Sequence, residues 1–120
     1  MGATYAYVGS RTSRERGADG EGITIWDAGG PGDGWRRLGT VAADASEARG
    51  DAALPANPSF LLVSDDRRSL YVTHGDTDAV SVLDLAADPA TPRLVQTVHL
   101  GRRNPVHLAQ LGRRLLVTFM

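Results

Sequence analysis

Residues 57–73 read NPSFLLVSDDRRSLYVT, and residues 104–118 read NPVHLAQLGRRLLVT. Each copy contains an Asn-Pro pair, an apolar run, a short polar turn that ends in arginine, and a second apolar run. The copies lie about 45–47 positions apart, close to the roughly 40–50 residues of one four-stranded unit of a β-propeller. The repeat therefore predicts an all-β fold of four-stranded antiparallel sheets.

Short strands separated by turn residues continue this pattern along the sequence. The 14 glycines and 6 prolines break the chain into short pieces, and alternation as in Ile23-Thr24-Ile25-Trp26 indicates one buried face. We predict nine strands, at residues 4–9, 22–27, 35–41, 59–64, 69–74, 79–84, 93–99, 106–110 and 114–119. Residues 41–54, rich in alanine and glutamate, are the one segment that could hold a helical turn.

Aligned on the repeat, the strands form an incomplete first blade (1–41), a complete blade (58–100) and the start of the next (104–120). Propellers have about 4–8 blades, so a closed ring needs at least about 160 residues. The sequence therefore predicts a partial propeller, and we expect an N-terminal or truncated portion of a larger one. Its exposed strand edges favour association with the missing blades or self-association.

Composition argues against several classes of function. The net charge is -1 and the pI about 6.3, so the chain has no basic field for nucleic acid. There is no cysteine, hence no disulfide framework and no thiolate metal site. No run approaches the roughly 18 apolar residues of a membrane span, and the N-terminus lacks the features of a secretion signal. We expect a soluble, cytoplasmic protein without a membrane partner.

The first segment and the repeat resemble the lactonase family of seven-bladed propellers. Residues 5–12, YAYVGSRT, are similar to the opening strand and turn of its propeller-type 6-phosphogluconolactonases, to which carboxy-muconate cyclases are related. Residues 57–72 are similar to the family segment NPS-hydrophobic … SPDGR-x-LYV, with Asp65 replacing the usual proline and Arg67 the usual glycine. Residues 74–76 and 104–109 resemble motifs of a bacterial branch. The resemblance covers about the first third of a family member.

The resemblance implies a lactone hydrolase that opens a sugar lactone, with 6-phosphogluconolactone as the first candidate. This chemistry needs a base, donors for the oxyanion and cations for a phosphate, but no metal or other cofactor. Because the family's remaining catalytic residues would lie in later blades, we expect the 120-residue chain to be inactive alone. The alternative is a non-catalytic propeller module that binds a protein or a ligand, since propellers host both functions.

Two histidines are candidate catalytic residues at the end of the ring where the turns of several strands meet. His74 could act as a general base oriented by Asp76, or could be a turn residue that hydrogen-bonds the backbone. His107 could face the central pocket, or could pack between blades. His99 lies on a predicted outer strand and is expected to be a surface residue.

Four residues at the same end are candidates for binding the substrate. Arg11 could donate to a phosphate, although loop 10–21 also fits a solvated surface, and Asp76 belongs to the same rim. Asn57 and Asn104 could contact a ligand, but their recurrence favours a structural turn. The proline after each is expected to hold the asparagine extended. The pair Arg102-Arg103 could add positive potential at this rim, although pairs of exposed arginines are common.

Overall fold

A computed structural model describes residues 4–29, 32, 34–43 and 53–120. These residues form nine strands, in chain order: β1 (Tyr5–Gly9), β2 (Gly22–Asp27), β3 (Arg36–Ala42), β4 (Pro58–Val63), β5 (Ser69–His74), β6 (Ala79–Asp84), β7 (Arg93–His99), β8 (Pro105–Leu111) and β9 (Arg114–Phe119). One short 3-10 turn, Arg14–Arg16, follows β1. The all-β class is confirmed, and every predicted strand lies within one residue of the observed bounds. The helical turn predicted in 41–54 falls largely outside the described residues.

The strands pair into three antiparallel sheets, in each of which strands that are consecutive in sequence lie side by side. Sheet 1 has the order β1-β2-β3, sheet 2 the order β4-β5-β6-β7, and sheet 3 contains β8-β9. The sheets begin and end where the sequence repeat divides the chain. Within the described residues no strand pairing closes them into a ring, and the first and last strand of each sheet, β1 and β9 among them, pair on one side only. No helix in this part of the chain is long and apolar enough to cross a membrane.

The core lies between sheets 1 and 2. Period-two alternation in β2, β5 and β6 turns one row of apolar side chains towards it. The buried cluster consists of Ile23, Leu54, Leu70, Val72, Leu83 and Leu85. Burial of each such side chain contributes about 1.5–3 kcal/mol. Sheet 3 packs on the other side of sheet 2, where β8 contacts β4 and β5 and Leu108 is fully buried.

Hydrogen bonds between sheets fix their relative position at the end where β4 turns into β5 and β6 connects to β7. The Tyr7 hydroxyl donates to the carbonyl oxygen of Pro89 over 2.6 Å. The backbone N–H of Asp65 donates to Oε1 of Gln110 over 2.9 Å. Sheet 2 is therefore tied to both of its neighbours at this end.

Strands β1 and β4 approach each other closely at Gly9. A Cβ atom on Gly9 would lie 2.5 Å from the carbonyl oxygen of Pro58 and 2.8 Å from Cδ1 of Leu61. The first of these atoms belongs to the backbone, so it cannot rotate away as a flexible side chain would. Glycine is therefore required for this contact between sheets 1 and 2.

We expect Gly9→Ala to lower the free energy of unfolding by about 1–3 kcal/mol, because the added methyl group forces the two strands apart. Gly39→Ala is the matched control, since Gly39 also lies in a strand and a Cβ there would meet nothing within 4 Å. Its effect should stay within about 0.5 kcal/mol. Urea unfolding of the two variants and the parent chain measures both values, and equal losses would contradict this role of Gly9.

Candidate functional site

Three connections meet at the opposite end of the sheets. They are the loop after β1, the turn 75–78 between β5 and β6, and the segment 100–104 between β7 and β8. Hydrogen bonds join each of them to the next, from Asn57 to the loop and from Asn104 to the turn. The structure thus brings the predicted candidates of this rim into one region.

Asn57 joins the loop after β1 to the start of sheet 2. Its Oδ1 accepts hydrogen bonds from the backbone N–H groups of Thr12 (2.8 Å) and Ser13 (3.0 Å). Its Nδ2 donates to Oγ of Ser13 (2.6 Å) and to the carbonyl oxygen of Gly75 (3.0 Å). Both donors and both acceptor sites of the amide are used, and the residue is 1% exposed. These contacts favour a structural role for Asn57 over ligand contact.

Asn104 repeats part of this arrangement between sheets 2 and 3. Its Oδ1 accepts from the backbone N–H of Asp76 over 2.7 Å, and its own N–H donates to the carbonyl oxygen of Thr77. The φ angles of Asn57 and Asn104 are 54° and 63°, so the predicted extended conformation is wrong. Asparagine tolerates the left-handed region, and the contacts with the preceding loop and turn outweigh the preference imposed by the following proline.

Arginines from two different connections converge on Asp76. Its Oδ2 lies 2.8 Å from Nε of Arg16 and 3.4 Å from Nη1 of Arg11, and its carbonyl oxygen accepts from Arg103. We call these four residues the Asp76 cluster. The guanidinium groups of Arg11 and Arg16 face the carboxylate, whereas that of Arg103 contacts the backbone of the same residue. The side chains of Arg11 and Arg16 are 51% and 65% exposed, so the cluster is open to solvent.

His74, the last residue of β5, is completely buried. Its Nδ1 lies 3.0 Å from the carbonyl oxygen of Ala56, which can only accept, so Nδ1 carries the hydrogen. Its Nε2 lies 2.7 Å from Oγ of Ser81 and therefore accepts the hydroxyl hydrogen. Burial lowers the pKa of His74 to about 4, and the ring is neutral near pH 7.

These contacts favour the backbone-bonded alternative for His74. Both ring nitrogens are occupied and no face of the ring is accessible to a substrate. The expected orientation of His74 by Asp76 is not found, because the described contacts of the Asp76 carboxylate are with Arg11 and Arg16. His74 and Asp76 are two positions apart in the sequence, but their side chains contact different partners.

His107 lies near the start of β8, three positions after Asn104, and is exposed. Its ring packs against Phe60 of β4, with centroids 4.5 Å apart and planes inclined by 49°. Phe60 and His107 occupy equivalent positions, because β4 and β8 both carry an irregularity directly before them. The contact of His107 with Phe60 agrees with the alternative in which His107 packs between sheets. Because His107 is also exposed, a catalytic role for it stays a prediction.

Sequence reasoning missed a pair of titratable side chains at this end. Nδ1 of His99 lies 2.9 Å from Oδ1 of Asp78, whose Oδ2 accepts from the backbone N–H of Gly101 over 3.1 Å. The hydrogen bond from His99 is the main cause that lowers the pKa of Asp78. The signal was the pairing of β6 with β7, which sets Ala79 opposite His99 and so brings Asp78 close to it. Arg16, predicted as part of a solvated loop, was missed as a partner of Asp76.

Neither a metal-binding cluster nor a relative guides the interpretation of this end of the sheets. Across the described ranges, no group of three or more histidine, aspartate or glutamate side chains is placed to hold a metal ion. Comparison with protein-family models, with curated proteins and with solved structures found no match to the chain.

We expect Asn57→Asp to lower the free energy of unfolding by about 3 kcal/mol or more at pH 7. A carboxylate would replace both N–H donors and face the carbonyl oxygen of Gly75 without compensation. Asn104→Asp is the matched control, because Asn104 shares the left-handed backbone and its side chain accepts, as aspartate can. Its loss should stay below about 1 kcal/mol. Denaturant titration compares them, and a larger loss in Asn104→Asp would refute the assignment.

His74 makes the stability of the fold depend on pH. Below about pH 6.5 the unfolded chain binds a proton at His74 that the folded chain does not bind until about pH 4, so stability falls as pH falls through this window. The contribution amounts to about 3 kcal/mol. In His74→Gln the difference in unfolding free energy between pH 7 and pH 4 should shrink by this amount, whereas His107→Gln should retain it. An unchanged pH dependence in His74→Gln would show that the ring is not held neutral.

Proposed function

We propose that the three sheets are successive blades of a β-propeller of the lactonase type, and that the Asp76 cluster recognises the anionic group of a sugar lactone. The division of the sheets at the repeat supports the first part of this proposal. So do Asn57 and Asn104, which join consecutive sheets through the same kind of left-handed turn. The unpaired edges of β1 and β9 would then receive strands of further blades or of another copy.

The convergence of Arg11, Arg16 and Arg103 on Asp76 is the observation that carries the functional part of the proposal. Asp76 holds Arg11 and Arg16 together at the surface, where their side chains are largely exposed. Guanidinium donors in a planar fork suit the oxygens of phosphate and carboxylate.

The chemistry of ring opening divides between this cluster and a base. The arginines would bind the anionic end of the lactone and add positive potential where the oxyanion develops. His74 does not serve as the base in this proposal, because both of its nitrogens are occupied and its ring is buried. His107 is exposed and remains a candidate on the side of sheet 3.

A non-catalytic module that binds an anion is the alternative, and the same cluster would support it. Binding alone does not separate the two functions, because both need the arginines. Turnover of a lactone separates them. If the protein is a lactone hydrolase, it hydrolyses the lactone faster than buffer does. If it is a binding module, it binds the anion without hydrolysing the lactone.

The binding proposal predicts that the chain binds 6-phosphogluconate, the stable open form of the lactone, more tightly than gluconate, which lacks the phosphate. Arg11→Ala and Arg16→Ala should each weaken this binding about tenfold, or about 1.4 kcal/mol, because each removes a charge-assisted hydrogen bond. Isothermal titration calorimetry of the purified chain with both compounds measures the affinities.

Arg36→Ala is the control for this experiment. Arg36 is also an exposed arginine paired with a carboxylate, that of Asp27, but it lies at the other end of sheet 1. The affinity should be unchanged in this variant. Equal affinities for 6-phosphogluconate and gluconate, or equal losses in all three variants, would contradict recognition by the Asp76 cluster.

A further inference from the structure

Asp78 and His99 form a hydrogen-bonded dyad beside the Asp76 cluster. Nδ1 of His99 and Oδ1 of Asp78 are 2.9 Å apart, and the His99 side chain is 66% exposed. A second contact, from the backbone N–H of Gly101 to Oδ2, fixes the carboxylate. Asp78 is therefore held in place by the backbone, whereas the His99 ring is open to solvent.

The hydrogen bond determines which nitrogen of His99 can accept a proton. An ionised carboxylate only accepts hydrogen bonds, so Nδ1 of His99 must carry the hydrogen. In the neutral ring Nε2 then has a free lone pair, and it lies on the side of the ring away from Asp78. An aspartate that fixes the tautomer and direction of a histidine in this way is the arrangement of an oriented general base.

The dyad and the Asp76 cluster belong to one turn. Asp76 and Asp78 flank Thr77, so their Cα atoms are no more than about 7 Å apart. The segment 100–104 reinforces the connection, because Gly101 donates to Asp78 and Arg103 donates to Asp76. The arginines and His99 therefore both contact the turn 75–78, through Asp76 and Asp78.

We propose that His99 is the proton acceptor in lactone hydrolysis and that Asp78 is its positioning residue. This inference rests on the proposed function, and it assigns the base to a histidine that neither the repeat nor the resemblance identifies. It also changes an expectation from the sequence, because the described sheets would then contain a base of their own and the 120-residue chain would be active.

The reaction balances with water as the only co-reactant. Nε2 of His99 takes a proton from water while the water oxygen forms a bond to the lactone carbonyl carbon. The tetrahedral intermediate then breaks the bond between this carbon and the ring oxygen. The imidazolium returns its proton to the departing ring oxygen, which becomes a hydroxyl group, and the new carboxyl group releases its proton to the solvent. His99 ends the cycle neutral.

The test measures turnover and binding in the same samples of the full chain. We expect the parent chain to hydrolyse 6-phosphogluconolactone about 100-fold faster than buffer alone. A pH-stat measures this rate from the acid that is released. His99→Gln should reduce this rate at least tenfold while the affinity for 6-phosphogluconate is unchanged. Asp78→Asn should also slow turnover, whereas Asp27→Asn, which alters an aspartate at the other end of sheet 1, should not.

A spectroscopic measurement separates positioning by Asp78 from a general structural effect. In the parent chain, ¹⁵N NMR of the imidazole should show hydrogen on Nδ1 of His99. In Asp78→Asn this tautomer should lose its preference while the backbone spectrum outside the turn is retained. A tautomer that does not respond to Asp78→Asn would overturn the positioning role.

The outcomes distinguish this inference from the proposed function. Binding that depends on Arg11 and Arg16, together with no turnover above buffer, would overturn the role of His99 and leave anion recognition intact. Turnover that is equal in the parent chain and His99→Gln would also overturn it, and would place the base elsewhere. Loss of turnover with retained binding in His99→Gln would establish it. Absence of both binding and turnover in the parent chain would refute the inference and the proposed function together.

Discussion

The arrangement of this end of the sheets depends on the buried amide of Asn57. It holds the backbone of Thr12 and Ser13, which lie in the loop of sheet 1, and also the carbonyl oxygen of Gly75, which lies in the turn of sheet 2. A buried amide with an unmade hydrogen bond would cost about 1–3 kcal/mol per group, so the loop and the turn are held in this relation. Arg11 and Arg16 flank the held residues in sequence and are thereby placed over Asp76.

The Asp76 cluster combines a fixed position with weak individual pairs. Exposed ion pairs contribute about 0–1 kcal/mol each, because water and salt screen them. Arg11 and Arg16 can therefore exchange part of their contact with Asp76 for contact with an anion at small cost. The rigid part of the site is the backbone held by Asn57 and Asn104, and the adaptable part is the set of arginine side chains. Such a division suits recognition of a small charged ligand.

The strands could be predicted from the sequence because their signals are local. Alternation in β2 and polar turns such as 65–68 fix each strand without reference to distant residues. The left-handed backbone of Asn57 was missed because the rule for residues before proline describes an isolated pair, whereas here the side chain also bonds Thr12, 45 positions away. The dyad of Asp78 and His99 needed the register of β6 against β7, and the convergence of Arg16 on Asp76 needed the relation between two sheets. Such contacts depend on how strands and sheets pack together. From the sequence alone, only the presence of these residues at one end of the sheets could be predicted.

The two asparagine turns have a consequence for the order in which the chain folds. In each sheet the strands pair with their neighbours in sequence, so these contacts close short loops and can form early. The bond from Asn57 to Thr12 spans 45 positions and that from Asn104 to Asp76 spans 28. Neither can form until the sheet before it presents its backbone N–H groups. Because these bonds close longer loops than the strand pairings do, we expect them to form after the pairing within each sheet.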